Sequence, residues 1–233
     1  MARLVGIAYA LQCLTGAFGF RPPYGFSQPD AIPQGPFRML HFTISLPNWA
    51  MEEQARLPTY FPNVEDRMRT IIRFSQLNID HQTGGPFSAG VFERDTGRLI
   101  VIGVNRVVSS NVSAAHAEIV ALSLAQQQLK SWDLGADQFP AMQLVVNWRP
   151  CAMCYGATIW SGIRSLIIAG SDDACERITG FDEGPIHPQW QSELAKRGIE
   201  LQDGLLYREA TRVFEAFRDG GHLVYNGRRG KRD

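Results

Sequence analysis

Four polar groups set at fixed spacings inside two apolar segments constrain this chain more than anything else in it. "AAHAEIVAL" (114–122) places His116 and Glu118 two residues apart in a run that otherwise reads as buried. "RPCAMCYGA" (149–157) places Cys151 and Cys154 three residues apart, directly after Pro150. Burying an imidazole or a carboxylate costs several kcal/mol unless something pairs with it. A fold that accommodates both segments must therefore bring these groups to a shared partner. On a helix, a spacing of three puts both sulfurs on one face. A helix that begins at Pro150 or Cys151 also places them in its first turn, where free N–H groups and the dipole favour thiolate, and where proline is tolerated because its missing N–H has no partner to lose. Two thiolates and one imidazole make three ligands for a tetrahedral Zn²⁺, and three protein ligands leave the open position of a catalytic metal that activates water. His116 is the nitrogen ligand in this reading. Glu118 stands beside the water as the acid/base group. Positions i and i+2 of an ideal helix diverge, so His116 must lie at the helix start, with Asn111 or Ser113 as candidate caps.

The rest of the composition frames this site. The 233-residue chain is 45% apolar and 20% charged, enough for one large domain with a substantial core. Lys+Arg and Asp+Glu both number 23, so no net field attracts nucleic acid. The basic cluster Arg228, Arg229, Lys231 and Arg232 is small beside that neutrality. Four unevenly scattered cysteines, Cys13, Cys151, Cys154 and Cys175, argue against a disulfide framework. The N-terminal "RLVGIAYALQCLTGAFGF" (3–20) has the look of a secretory signal but is too weak for a membrane span. A stretch rich in Pro and Gly follows it. Residues 1–40 are therefore read as an extension outside the fold, and 41–233 as one domain. A cytoplasmic location is expected, with export as the open alternative.

Helical spacing marks "NVEDRMRTIIRFSQLNIDH", with Asn63 as its cap. "GGPFSAGVFER" and "RLIVIGVNRV" read as two strands joined by a tight turn at "DTG". "SAAHAEIVALSLAQQQLK" is a long helix, "MQLVVNW" a buried strand, "CAMCYGATIWSG" a short helix and "RSLIIAGS" another strand. Further helices are expected near 188–197 and 206–218. Alternating strands and helices predict an α/β fold with helices covering a central sheet.

Over roughly residues 64–227 the chain resembles the cytidine/deoxycytidylate deaminase superfamily of zinc enzymes. The shared marks are "GGPFSAGVFE", "GVNRVV", "AAHAEIVAL", "PCAMCYGATIWSGIRSLI" and "GFDEGP". The last of these tilts the resemblance toward bacterial guanine deaminases, with tRNA adenosine deaminases next. The resemblance implies a three-layer α/β/α fold with a mixed five-stranded sheet. It implies Zn²⁺ on His116, Cys151 and Cys154, catalysis by Glu118 with Glu183 helping, and a small-molecule nucleobase as substrate. It also implies substrate contacts from Asn105, the backbone of Ala117, Phe87, Asp182 and Tyr225, and a homodimer without nucleic-acid or membrane partners. The expected reaction is hydrolytic deamination of guanine to xanthine and ammonia. The alternatives are deamination of tRNA adenosine, of cytosine or cytidine, or of an amino-triazine, and a catalytically silent zinc-stabilised binding protein. One departure stands out. The family usually reads "S-x-E-P-C" where this chain has "NWRPC", and the expectation is that Asn147, Trp148 and Arg149 alter the pocket wall.

Overall fold

The computed structural model describes residues 42–227. The N-terminal extension read from the sequence, Cys13, and the basic cluster after 227 lie outside the described residues. The elements in chain order are α1 (Asn48–Ala55), α2 (Val64–Asp80), β1 (Ser88–Glu93), β2 (Leu99–Val104), α3 (Val107–Ser110), α4 (Ala117–Leu129), β3 (Met142–Val146), α5 (Ala152–Trp160), β4 (Ser165–Ile168), α6 (Ala174–Thr179), α7 (Trp190–Ala195), β5 (Glu200–Gln202) and α8 (Tyr207–Asp219). Among the described residues, no helix is long and apolar enough to cross a membrane.

The sheet runs in the order β2-β1-β3-β4-β5. The first hairpin and the β1–β3 pair are antiparallel, while β3–β4 and β4–β5 are parallel. Period-2 alternation divides its side chains between two cores. Ala89, Val91, Leu144, Val146, Leu166 and Ile168 face one, with Ala117, Ala121 and Leu122 of α4. Phe92, Val145 and Ile167 face the other, with Met68, Ile71 and Phe74 of α2 and Phe214 and Phe217 of α8. A sheet buried on both faces by helices is the expected three-layer α/β/α architecture.

Asn63 caps α2 as its sequence indicates, its Oδ1 accepting the Glu65 N–H at 2.8 Å. The cap of α4 differs from expectation. His116 itself occupies the N-cap position in extended conformation (φ −66°, ψ 156°), with no side-chain cap. Asn111 instead ends α3 in a left-handed conformation. The first turn of α4 thus carries no N-cap side chain, and the Glu118 carboxylate accepts its own backbone N–H there.

Gly103 lets α4 lie directly on β2. A Cβ there would sit 2.5 Å from the Ala121 nitrogen and 2.6 Å from the Ala117 carbonyl oxygen. Those are backbone atoms that cannot rotate aside. Gly103→Ala is expected to destabilise the fold by about 1–3 kcal/mol through overpacking, read as a lower denaturant midpoint at unchanged slope.

Candidate active site

The metal-ligand candidates converge from two helix starts. Cys151 is the N-cap of α5, again extended (φ −64°, ψ 174°), and Cys154 lies within the helix. One turn of α5 therefore carries both sulfurs, and the start of α4 carries the imidazole. The ligand atoms of His116, Cys151 and Cys154 all lie within 4.8 Å of one another. His116 Nδ1 sits 3.5 Å from Cys151 Sγ. A nitrogen and a sulfur held at ordinary zinc distances and a tetrahedral angle stand about 3.5 Å apart, so the donor set and its spacing fit Zn²⁺. Cys151 and Cys154 are buried, which shields the site from solvent.

The local charges agree. The hydrogen bond from the Cys154 thiol, reinforced by His116, holds Cys151 down at about 4. That same hydrogen bond, followed by burial, pushes Cys154 well above the ordinary thiol range. The proton shared by the two sulfurs therefore stays on Cys154. Burial opposes a charge on His116, but the Cys151 sulfur and the Glu118 carboxylate outweigh it and raise the imidazole. Of the three side chains, Cys151 alone is held in the deprotonated form that a metal requires, and metal binding must displace the protons of the other two.

Glu118 is 6% exposed, in the first turn of α4 behind His116. Burial, with the Cys151 charge adding to it, pushes its carboxyl up to about 7. Glu183 is half-buried on the loop after α6, and burial followed by Cys151 and Glu118 pushes it up to about 8. Carboxyls displaced in this direction are suited to exchanging protons near neutrality. The Glu183 loop is docked on the metal helix, because the Ala152 N–H donates to the Glu183 carbonyl at 3.0 Å.

A cavity of about 150 Å³ opens onto this cluster, lined by Phe87, Val107, Ser113, His116, Phe181, Asp182, Glu183 and Tyr225 with Asn226 and Gly227. Three of its wall residues, Phe87, Phe181 and Tyr225, are aromatic rings packed on one another. Phe181 lies 5.2 Å from Phe87 and 4.7 Å from Tyr225, centroid to centroid. Tyr225 closes it from the tail, and its hydroxyl is buried without a partner. Gly85 makes room for that ring, since a Cβ there would meet the hydroxyl oxygen at 2.4 Å. A larger groove of about 330 Å³ is also lined by Tyr225, with Gln82, Thr83, Gly84 and His222 among others, and includes none of His116, Cys151 and Cys154.

Of the sequence candidates, Phe87, Asp182, Glu183 and Tyr225 line the cavity together with His116. Asn105 and Ala117 are fully buried and are not among its walls. The Asn105 side-chain Oδ1 accepts the Gly85 and Val107 N–H groups at 3.4 and 3.3 Å, and its Nδ2 is buried without a partner. A buried, unspent amide donor is costly unless a ligand takes it. Asp182 is exposed, and its carboxylate accepts the Gly184 N–H at 2.9 Å, so it shapes the loop around Glu183.

Asn147, Trp148 and Arg149, expected in the pocket wall, are not among the residues lining the cavity. Asn147 clamps the entry to β1, donating to the Pro86 carbonyl at 2.9 Å and accepting the Ser88 N–H at 3.0 Å. It thereby holds Phe87 between those two anchors. Trp148 is 2% exposed and packs on Tyr207 and Phe214. Arg149 pairs with Glu176 at 3.0 Å. Val107, Phe181 and Asn226 are wall residues that carry no signal in the sequence, and Ser113, expected as a helix cap, lines the cavity instead. They lie on α3 and in loops, where no periodicity marks a buried face.

Residues 63–170 match the model of the cytidine and deoxycytidylate deaminase zinc-binding region. That range contains His116, Glu118, Cys151 and Cys154 and stops short of Glu183 and Tyr225. A guanine deaminase from Nitrosomonas europaea is 45% identical, over 77% of this chain and 97% of its own, with a TM-score of 0.73. A protein crystallised with 2,6-diaminopurine is 45% identical over 80% and 97%, with a TM-score of 0.74. Guanine deaminase of Bacillus subtilis strain 168 is 31% identical over 158 residues, 67% of this chain and 95% of its own. The zinc-fitting cluster and these matches together place the chain in the cytidine and deoxycytidylate deaminase family.

Proposed function

We propose that the protein is a zinc-dependent guanine deaminase that hydrolyses guanine to xanthine and ammonia. The observation that carries this reading is the aromatic cavity of about 150 Å³ that ends on His116 and Glu183. Its volume lies below the range of about 300–1,000 Å³ for drug-sized ligands, which suits a single base. The guanine deaminases and the 2,6-diaminopurine complex among its relatives support a purine as that base.

His116, Cys151 and Cys154 would hold the zinc, which supplies a Lewis acid that makes hydroxide available near neutral pH. Phe87, Phe181 and Tyr225 flank the flat ring and exclude water. Asn105 Nδ2 offers the base an unspent donor, and the backbone amide of Ala117 at the α4 start offers another. Glu118 takes the proton from the attacking water and delivers it to a ring nitrogen. The carbon bearing the amino group becomes tetrahedral; the proton of its new hydroxyl then passes through Glu118, with Glu183 helping, to the amino nitrogen, and the C–N bond breaks to release ammonia as the carbonyl forms. Each carboxyl begins close to neutrality, so neither transfer runs far uphill.

The protein works in this reading as a cytoplasmic homodimer. The exposed face of α5 supports the dimer, with Met153 39% and Trp160 84% exposed and nothing within 4 Å of a Cβ built on Gly156. A substrate panel tests the chemistry. The kcat/KM for guanine is expected to exceed those for cytosine and for the anticodon arm of tRNA by at least about 100-fold, roughly 3 kcal/mol of discrimination. Turnover of cytosine, of an amino-triazine or of tRNA at comparable kcat/KM would reassign the substrate. Asn105→Ala is expected to lower kcat/KM for guanine about 10- to 100-fold, the cost of one hydrogen bond inside a dry site.

A further inference from the structure

We propose that the Arg149–Glu176 ion pair is a positioning device that clamps the Glu183 loop to the metal-binding end of α5. This rests on the assignment of Glu183 to the deamination site.

Arg149 precedes Pro150 and Cys151, so it is rigidly tied to the α5 start. Its backbone N–H donates to the Gly170 carbonyl at 2.9 Å, and one guanidinium nitrogen donates to the Ser171 carbonyl at 2.8 Å. The other reaches Glu176 Oε1 at 3.0 Å. One side chain thus joins the α5 start, the end of β4 and the middle of α6. Helix α6 ends at Gly180 in a left-handed conformation, and three residues further on is Glu183. From the other direction Ala152 N–H holds the Glu183 carbonyl. The segment 176–183 is therefore anchored to residues 149 and 152 at both of its ends, and Glu183 sits at the second anchor.

The pair is partly enclosed, with side-chain exposures of 15% for Arg149 and 31% for Glu176. Its remaining donor and acceptor, Arg149 Nε and Glu176 Oε2, are buried with no protein partner. An arrangement that tolerates two unspent polar atoms is poorly explained as a stability feature, because apolar residues of the same volume would serve at least as well. It is better explained as a fixed geometry for the loop. It also gives a role to a residue by which this chain departs from the usual "S-x-E-P-C" pattern.

The test is a double-mutant cycle on the full, zinc-loaded chain. Arg149→Met alone leaves Glu176 without its cation, so the probe is the paired change Arg149→Met with Glu176→Gln, which removes both charges. In the otherwise native protein this pair of changes is expected to lower kcat for guanine about tenfold with KM within about twofold. In a Glu183→Gln background the same pair is expected to change kcat by less than about twofold. An equal loss in both backgrounds, or no loss in the native one, overturns the proposal. Amide hydrogen exchange gives a readout independent of the substrate. Residues 180–184 and Ala152 are expected to exchange about tenfold faster in the paired variant, while Tyr155–Thr158 inside α5 are unchanged. Unchanged exchange at Ala152 and the loop overturns the clamp. If the native protein does not turn over guanine, the substrate assignment fails, and the exchange result alone decides whether the clamp exists.

Discussion

Glu118→Gln is expected to abolish deamination while leaving the zinc in place. Glutamine keeps the volume and planarity of the side chain, so the first turn of α4 and the wall behind His116 stay as they are. It cannot accept a proton from water or return one to a ring nitrogen. A positioned acid/base group is worth about 10²–10⁴ in rate, and here one carboxylate serves several transfers. The expected loss in kcat is therefore about 10³-fold or more, roughly 4 kcal/mol of barrier. The ligand cluster contains no Glu118 atom, so zinc content should remain that of the native protein. Stability should hold or rise, because a 6% exposed carboxylate is replaced by a neutral group. Parallel measurement of metal content, melting temperature and ammonia release checks all three. Retained turnover would remove Glu118 from the chemistry.

Cys154→Ser is expected to remove both zinc and activity while the fold persists. Cys154 is fully buried and its sulfur is one corner of the three-ligand set. Serine places a poorly ionising hydroxyl in that corner, and two remaining ligands do not hold zinc against dilution or a mild chelator. Zinc content should fall below about a tenth of native, and turnover about 10³-fold or more. The two cores are built from sheet and helix residues on either side of the site, so the variant should still unfold cooperatively. Its unfolding free energy should drop by about 1–3 kcal/mol for the poorly satisfied hydroxyl. Cys175 supplies the control. It is equally buried but lies outside the cluster, so Cys175→Ser should bear a similar stability cost and keep its zinc. Loss of zinc from both variants alike would mean that destabilisation, and not ligand removal, governs metal retention.

What the sequence reveals about this protein follows from which residues carry a periodic or chemical signal. The near-continuous apolar runs in "FSAGVFE" and "MQLVV" are what a sheet buried on both faces imposes, so those strands are legible. The Asn63 cap is legible because a side-chain oxygen two residues before Glu65 has one obvious partner. The zinc cluster is legible because its residue types have few other reasons to be buried together.

Other features lack such a signal. Helix α1 has no apolar stripe. Its Gln54 side chain instead hydrogen-bonds both the N–H and the carbonyl of Ile102, at 2.8 and 3.1 Å, standing in for a neighbouring strand on the β2 edge. Strand β5 has three residues, of which only Leu201 is half-buried, so nothing alternates. Helix α6 is one and a half turns long and is visible only once its Glu176 meets Arg149. The expectation that Asn147, Trp148 and Arg149 line the pocket failed because β3 ends at Val146. Asn147 then turns to the β1 entry, Trp148 to the α8 side, and Arg149 to α6. The expected Asn111 or Ser113 cap on α4 is absent, because His116 takes the N-cap position itself.

The central claim, hydrolytic deamination of guanine at this zinc-fitting cluster, is tested most directly by turnover of guanine in ¹⁸O-labelled water. Zinc-loaded protein is predicted to release ammonia and xanthine in equal amounts, with one labelled oxygen per xanthine at the carbon that carried the amino group. Release of neither product, with zinc bound and the fold intact, would contradict the account.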